Sequence, residues 1–461
     1  MKKILLTAVS VFALSTAAQA NNSTSNVTQS GNGQNATVQQ SGSMTGGASD
    51  IVQSGATNVA NVTQADDGTG STPVQSSSVL QAGTGNQADV TQTMETSFNY
   101  PPSTENRSSV SQTGNNNDAT VTQNDDGQSS TIDQTSSNNV ATVTQGVAAS
   151  GDSTYENSSY VSQGGSGSHE ATVSQTGRLN DSAVVQTGFN QFADVDQSGN
   201  DNTAGVNQSG NNNLSYTNQG GSGNAAYTTQ GGVDGSISTI DQIGDNNLAV
   251  VSQTDDGNNL SAPPLNNSAI TQGGNGNQAY VDQNAQTFIL DNVSTINQGG
   301  DDNVASVAQK DDAQTSGIVQ SGSGNSASVA QGVTQVGSGD TSWGNTSYVN
   351  QSGDDNLAQV EQIARSGYSN IAQAGDGNQA YVSQTAFDET SDINQSGEDN
   401  LASVIQSGGS NFAYTTQSGD DNLSGILQSG SGNTATVTQL TDGNSSYVTQ
   451  LGTGSTATVT Q

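Results

Sequence analysis

The 461-residue sequence contains no cysteine, one histidine and five prolines. Without cysteine there are no disulfide staples and no thiolate metal site. Cations are almost as scarce: six Lys and Arg stand against 41 Asp and Glu, for a net charge of −35. Nucleic acid is excluded as a partner, because its phosphates need a basic surface. Beyond the N-terminus no stretch approaches the ~20 apolar residues of a membrane span. Only 29% of residues are hydrophobic and 4% aromatic, too few for an ordinary globular core. Low hydrophobicity with high net charge reads as disorder unless something keeps the apolar residues in register.

A strict period does so. Its cleanest copy is QSGSGNTATVTQ, Gln428 to Gln439. Asn433, Ala435, Val437 and Gln439 are two residues apart and share one face of a β-strand, while Thr434, Thr436 and Thr438 take the other. The preceding SGSG is turn chemistry. From Gln29 to Gln461, 36 Gln positions mark the repeat, and 26 of the 35 steps between them are 11 residues. The clearest stretch runs Gln351, Gln362, Gln373, Gln384, Gln395, Gln406, Gln417, Gln428, Gln439, Gln450, Gln461. Asn356, Asn378, Asn400, Asn422 and Asn433 recur at one place in the step.

A strand of six or seven residues and a tight turn use up 11 residues, and two such steps close a 22-residue turn. The fold expected is all-β: a β-solenoid of about 18 two-strand turns, stacked in cross-β fashion at ~4.8 Å and roughly 85 Å long. Its core is Ala, Val and Ile, with the named Gln and Asn residues stacked as a structural ladder in which each amide donates to one neighbour and accepts from the other. Residues 1–20 read as a secretory signal peptide: Lys2 and Lys3, an apolar run from Ile4, then Ala18-Gln19-Ala20. Residues 21–461 are the repeat domain, with loop insertions near 65–78, 93–109, 146–160, 254–269 and 332–348. The lengthened steps hold all five prolines, together with Met44, Met94, Phe98, Phe288 and Trp343, and are read as loops extruded from the stack. If every step is one strand, the long steps 40–53, 64–81, 92–112 and 145–163 fall on one edge, and 253–272, 283–298 and 331–351 on the other.

Asp354, Asp376, Glu398, Asp420 and Asp442 are 22 residues apart, one full turn each. They are expected to form an acidic gatekeeper column along one edge, read either as a solvated edge that keeps the chain soluble during export or as a brake whose mutual repulsion opposes stacking until acid or a divalent cation such as calcium relieves it. His169 has no nucleophile or metal partner at a recognisable spacing and is read as a turn or outward-facing residue. Lys310, in KDD, is read as a loop ion pair. The glycine-rich turns lack the Lys and the helix of a phosphate loop. No catalytic residue, cofactor or metal ligand is expected.

The pattern Q-x-G-x-x-N-x-A-x-V-x-Q resembles the repeat of curlin, the subunit of bacterial curli fibres. It stands at Gln81, Gly83, Asn86, Ala88, Val90, Gln92, and again at Gln373, Gly375, Asn378, Ala380, Val382, Gln384. The resemblance implies a secreted homopolymer forming an amyloid fibre at the surface of a Gram-negative-type bacterium, in biofilm matrix and adhesion. It also implies a nucleator subunit, an outer-membrane secretion pore and periplasmic chaperones as partners. The family's major subunit has a handful of repeats, whereas about eighteen are counted here, and Asn21 to Ser25 lead almost directly into the first of them. The alternative from another class is a monomeric secreted solenoid, an adhesin or a calcium- or ice-binding protein. Thr120/Thr122, Thr142/Thr144, Thr436/Thr438 and Thr458/Thr460 would supply an ice-binding face. The fibre subunit is preferred because the chain ends on the strand Thr456–Gln461 and begins at Val27 with little cover, leaving sheet edges open to pairing.

Overall fold

The computed structural model describes residues 23–42, 46–66, 74–94, 105–146, 156–232, 235–255, 266–285, 291–310, 313–332, 344–363 and 365–461. The signal-peptide reading of residues 1–20, the five prolines and the Lys310 ion pair with residues 311–312 all lie outside them, wholly or in part. The described chain is all-β, with 36 strands, β1 (Thr24–Asn32) to β36 (Thr456–Thr460), in chain order. It divides into two compact units, Met1–Gly223 and Asn224–Gln461. The first holds β1 to β16 (Leu214–Gln219) and the second β17 (Ala225–Gln230) to β36. With two strands per turn, that is eight turns and ten.

Within each unit the odd-numbered strands form one parallel sheet and the even-numbered strands the other. Pairing is in register. Between β28 (Tyr368–Gln373) and β30 (Thr390–Gln395), Ser369 meets Ser391, Ile371 meets Ile393 and Gln373 meets Gln395. Period-two alternation sends Ser or Ala, then Val or Ile, then Gln inward from nearly every strand, with Thr217, Thr228 and Thr415 taking the middle place in three of them. The first unit's core runs from Ala36 to Val206, and the second's from Ala226 to Val448.

The inward small residue separates two kinds of strand. In the first unit it is Ser on odd strands (Ser49, Ser77, Ser108, Ser130, Ser159, Ser182) and Ala on even ones (Ala60 to Ala193). The order inverts after the consecutive pair Ala193 and Ala204, and again after Ala402 and Ala413. Every long connection precedes a Ser strand. In the first unit these connections run from an even strand to an odd one, before β3 (Ala48–Ala56), β5 (Gln75–Thr84), β7 (Asn106–Asn115) and β11 (Ser158–Gly167). In the second they run from odd to even, before β20 (Asn267–Gln272), β22 (Val293–Gln298) and β26 (Thr346–Gln351). The true unit of the chain is thus 22 residues: a Ser strand that tolerates a long approach, a tight turn, and an Ala strand.

The strands reach further into the long steps than their sequence suggests. Met94, read as part of an extruded loop, is the last residue of β6 (Gln87–Met94) and is buried. It stands two residues past Gln92, so the alternation still points it inward.

Candidate functional site: the amide ladders and the acidic turn column

In the second unit's even sheet, Nε2 of Gln351 donates to Oε1 of Gln373 at 2.9 Å. Gln373 donates in the same way to Gln395, Gln395 to Gln417, and Gln417 to Gln439, each at 2.9 Å. Gln439 donates to Gln461 at 3.1 Å. In the odd sheet Gln362, Gln384, Gln406, Gln428 and Gln450 make the same chain at 2.8–3.0 Å. The second Nε2 proton goes to a backbone carbonyl 16 residues earlier on the facing sheet, as from Gln373 to Leu357 O at 3.1 Å. A carbonyl accepts only from a donor, so this bond fixes which end of each amide is nitrogen. Every amide therefore points the same way, from turn n to turn n+1, and the ladder has a direction.

Asparagines form most of the second ladder, six residues before a ladder Gln. The backbone N–H of Asn378 donates to Asn356 Oδ1 at 2.9 Å, that of Asn400 to Asn378 at 3.0 Å, and that of Asn422 to Asn400 at 3.0 Å. Asn433 stands in a different column from these four: its N–H donates to Asn411 Oδ1 at 3.0 Å, and its own Oδ1 receives Ser455 N–H at 2.9 Å. Side-chain nitrogens bridge to glycine carbonyls, as from Asn378 to Gly397 O at 2.7 Å. With donors and acceptors matched, buried amides that would each cost about 1–3 kcal/mol unpaired become stacking contacts.

His169 occupies one of these asparagine places and is 1% exposed, which corrects its reading as a turn or outward-facing residue. It stands six residues before Gln175, the signal that places it. Its N–H donates to Asn139 Oδ1 at 3.1 Å, Nδ1 accepts from Gln191 N–H at 3.3 Å, and Nε2 bonds Gly164 O at 2.7 Å. Burial pushes the imidazole below its ordinary pKa. Glu389, six residues before Gln395, fills another asparagine place and is fully buried. Burial pushes its carboxyl up, against hydrogen bonds from Ala386 N–H and Asn411.

The acidic residues sit in the turns that lead from even to odd strands. Four of the five carboxylates, those of the aspartates, each accept a backbone N–H from the turn before. Ser323 N–H donates to Asp354 Oδ1 at 2.7 Å, Asp354 N–H to Asp376 at 2.8 Å, Glu398 N–H to Asp420 at 2.9 Å, and Asp420 N–H to Asp442 at 3.0 Å. Repulsion is thus only part of the column's electrostatics, since charge-assisted bonds to the backbone oppose it. The column extends beyond the five residues: Asn275 N–H donates to Asp301 at 2.7 Å, and Asp245 N–H to Asn275 Oδ1 at 2.9 Å. Asp355, Asp399 and Asp421, beside the column, have φ of 55°, 52° and 57°. That left-handed conformation suits Asp, Asn and Gly. On the first unit's even sheet Asp118 and Asp194 are also pushed up. Burial is the main cause in both, with Asp89 adding to the first, and Asp196 and Glu170 to the second.

A parallel solenoid whose turns are joined by repeated side-chain ladders defines a structural repeat protein. A family model for the curlin associated repeat matches residues 170–199, 397–430, 415–440 and 430–461. These matches fall in both units, and the chain carries curlin repeats as its sequence pattern indicates. No curated protein matches the chain.

Proposed function

We propose that this chain is a structural subunit of an extracellular curli-type amyloid fibre, serving biofilm matrix, adhesion and aggregation. The observation that carries the reading is the equivalence of successive turns. Strand pairing, Gln ladder and Asn ladder all join turn n to turn n+1 by the same bonds, so a second copy can supply the next turn. In β36, the last of the described strands, Ala457 and Val459 are only partly buried, where Ala435 and Val437 one turn earlier are fully so. Covering them with another copy's strands removes apolar surface from water and extends both ladders.

The remaining parts of the proposal follow from the repeat family: a secreted location after removal of residues 1–20, a nucleator subunit, periplasmic chaperones and an outer-membrane pore as partners. The repeat family and the fold are structural rather than catalytic. The deciding experiment is to incubate purified residues 21–461 and follow thioflavin binding and fibre diffraction. Fibres with a ~4.8 Å meridional reflection are expected. A chain that stays monomeric at high concentration with seeds present would favour the lone adhesin instead.

A further inference from the structure

Two of the asparagine places are filled by titratable side chains, one in each unit, and in both the neutral form is the one that imitates asparagine. An asparagine there does two things. Its Oδ1 receives the N–H of the next turn, and its Nδ2 donates to a backbone carbonyl, as Asn86 does to Ala82 O at 3.0 Å. Neutral His169 reproduces both acts, with Nδ1 receiving Gln191 N–H and Nε2–H donating to Gly164 O. Protonation puts a hydrogen on Nδ1, facing the N–H of Gln191, and turns an acceptor into a second donor. Glu389 is the mirror case. Its oxygens receive Ala386 N–H at 3.1 Å and Asn411 Nδ2 at 3.4 Å, so as an anion it only accepts. Protonation gives it the donor that asparagine has and removes a buried charge.

Among the described residues nothing of opposite charge compensates either group. The groups acting on His169 are the backbone of Gly164 and Gly188, together with Asn139 and Gln191; Glu170, next in sequence, is exposed on the outer face. Those acting on Glu389 are the backbone of Thr385, Ala386 and Gly408 and the Asn411 side chain. Exposed Asp388 is next in sequence, the Arg365 guanidinium lies 5.4 Å from the centroid of the Phe387 ring, and no ion pair joins Arg365 to Glu389 among the described residues.

We propose that the turns at His169 and Glu389 respond to acid in opposite senses, acid loosening the turn at His169 and tightening the turn at Glu389. The signs follow from the shifts. A histidine lowered in the fold contributes stability above its unfolded pKa, and that contribution is lost as pH falls through the window between the two values. A carboxyl raised in the fold contributes stability below its unfolded pKa, lost as pH rises through the folded value.

The test uses the full untagged chain before assembly. His169 is the only histidine, so a chain labelled with 13C-histidine gives one imidazole to titrate by NMR. Hydrogen exchange from pH 8 to pH 4, corrected for intrinsic rates, is read on peptides spanning 169–191 and 389–411. Protection is expected to fall at least about threefold in the first and rise at least about threefold in the second on acidification. His169→Asn should flatten only the first response and Glu389→Asn only the second. An imidazole titrating at its ordinary value, protection that moves the same way in both peptides, or responses that survive the asparagine variants would overturn the proposal. Should either variant fold poorly, the parent's imidazole titration and its two exchange profiles still decide.

Discussion

Nε2 of Gln373 lies 2.9 Å from Oε1 of Gln395, and both side chains are buried in one column, 22 residues apart. Gln395 passes the bond on to Gln417 and gives its other proton to the carbonyls of Gln379 and Asn400 at 3.0 Å. Replacing Gln395 by Ala strands a donor on Gln373, an acceptor on Gln417 and the two carbonyls, and leaves a cavity. The expected loss is about 3 kcal/mol in the second unit, read as a shifted denaturant midpoint. The control is Gln359→Ala on the exposed face, at under about 0.5 kcal/mol. Equal losses at the two positions would show that the ladder adds nothing to burial.

The tight turns depend on a close approach of backbones. A Cβ on Gly397 would stand 2.2 Å from the carbonyl oxygen of Gly419 in the next turn, whereas one on Gly443 would meet nothing within 4 Å. Gly397→Ala should therefore cost about 2–3 kcal/mol by forcing two turns apart. Gly443, at φ +70°, should cost about 1 kcal/mol, for the left-handed backbone alone. Thermal melts of the two variants order them, and a milder Gly397→Ala would mean that the stack can shear locally.

Much of this was legible in the sequence because the code is local and repeated. Gln439 follows Asn433, Ala435 and Val437 at intervals of two, and that alone sets which face is buried. Counting Gln steps also places strands and long connections. Legibility failed wherever one residue type stood in for another. His169 and Glu389 look like surface residues by chemistry, and only their place six residues before a ladder Gln puts them inside. The exchange of Ser and Ala strands at Ala193/Ala204 and Ala402/Ala413 is hidden because either residue fits an inward place by size. The backbone bonds of Asp376 and Asp420 depend on the turn's conformation, which residue spacing does not report.

The inward serines carry a cost that alanine would not. The hydroxyls of Ser316, Ser347, Ser369 and Ser391 are buried without a hydrogen-bond partner among the described residues. Ser369→Ala should raise stability by about 1 kcal/mol, since it removes an unpaired polar group at a place where the other sheet already carries alanine. A measured loss would point to an ordered water or a packing role for that hydroxyl.

Asp194 makes a pH prediction for the first unit. Its carboxyl is raised by burial and by Asp196 and Glu170, so the fold is favoured below the unfolded pKa and that gain is lost as pH rises through the folded value. Asp194→Asn should stabilise the unit at neutral pH, by less than about 1 kcal/mol given its partial exposure, and should do nothing in acid. Melting curves at pH 3 and pH 7 check this, and a gain that is the same at both values would deny a role to ionisation.

The acidic column separates charge from hydrogen bonding by substitution. Asp354, Asp376, Asp420 and Asp442 hold the turns through oxygens that accept backbone N–H groups. Asparagine keeps such an oxygen and discards the charge. Like charges one turn apart, at ~4.8 Å, repel by roughly 1 kcal/mol per pair in water-like surroundings, and a copy added to the stack extends the column. Changing these four to Asn and Glu398 to Gln should leave the turns intact, shorten the lag of assembly several-fold at neutral pH, and blunt acceleration by calcium or acid. A second variant with Ala at the four Asp positions removes charge and acceptor together. It should lose stability, which the asparagine set should not, because four backbone N–H groups lose their partners. Seeded and unseeded thioflavin kinetics across pH and calcium decide between the roles. If the asparagine set matches the parent in lag and in its response to both agents, while the alanine set is destabilised, the carboxylates serve as turn acceptors and the brake is wrong.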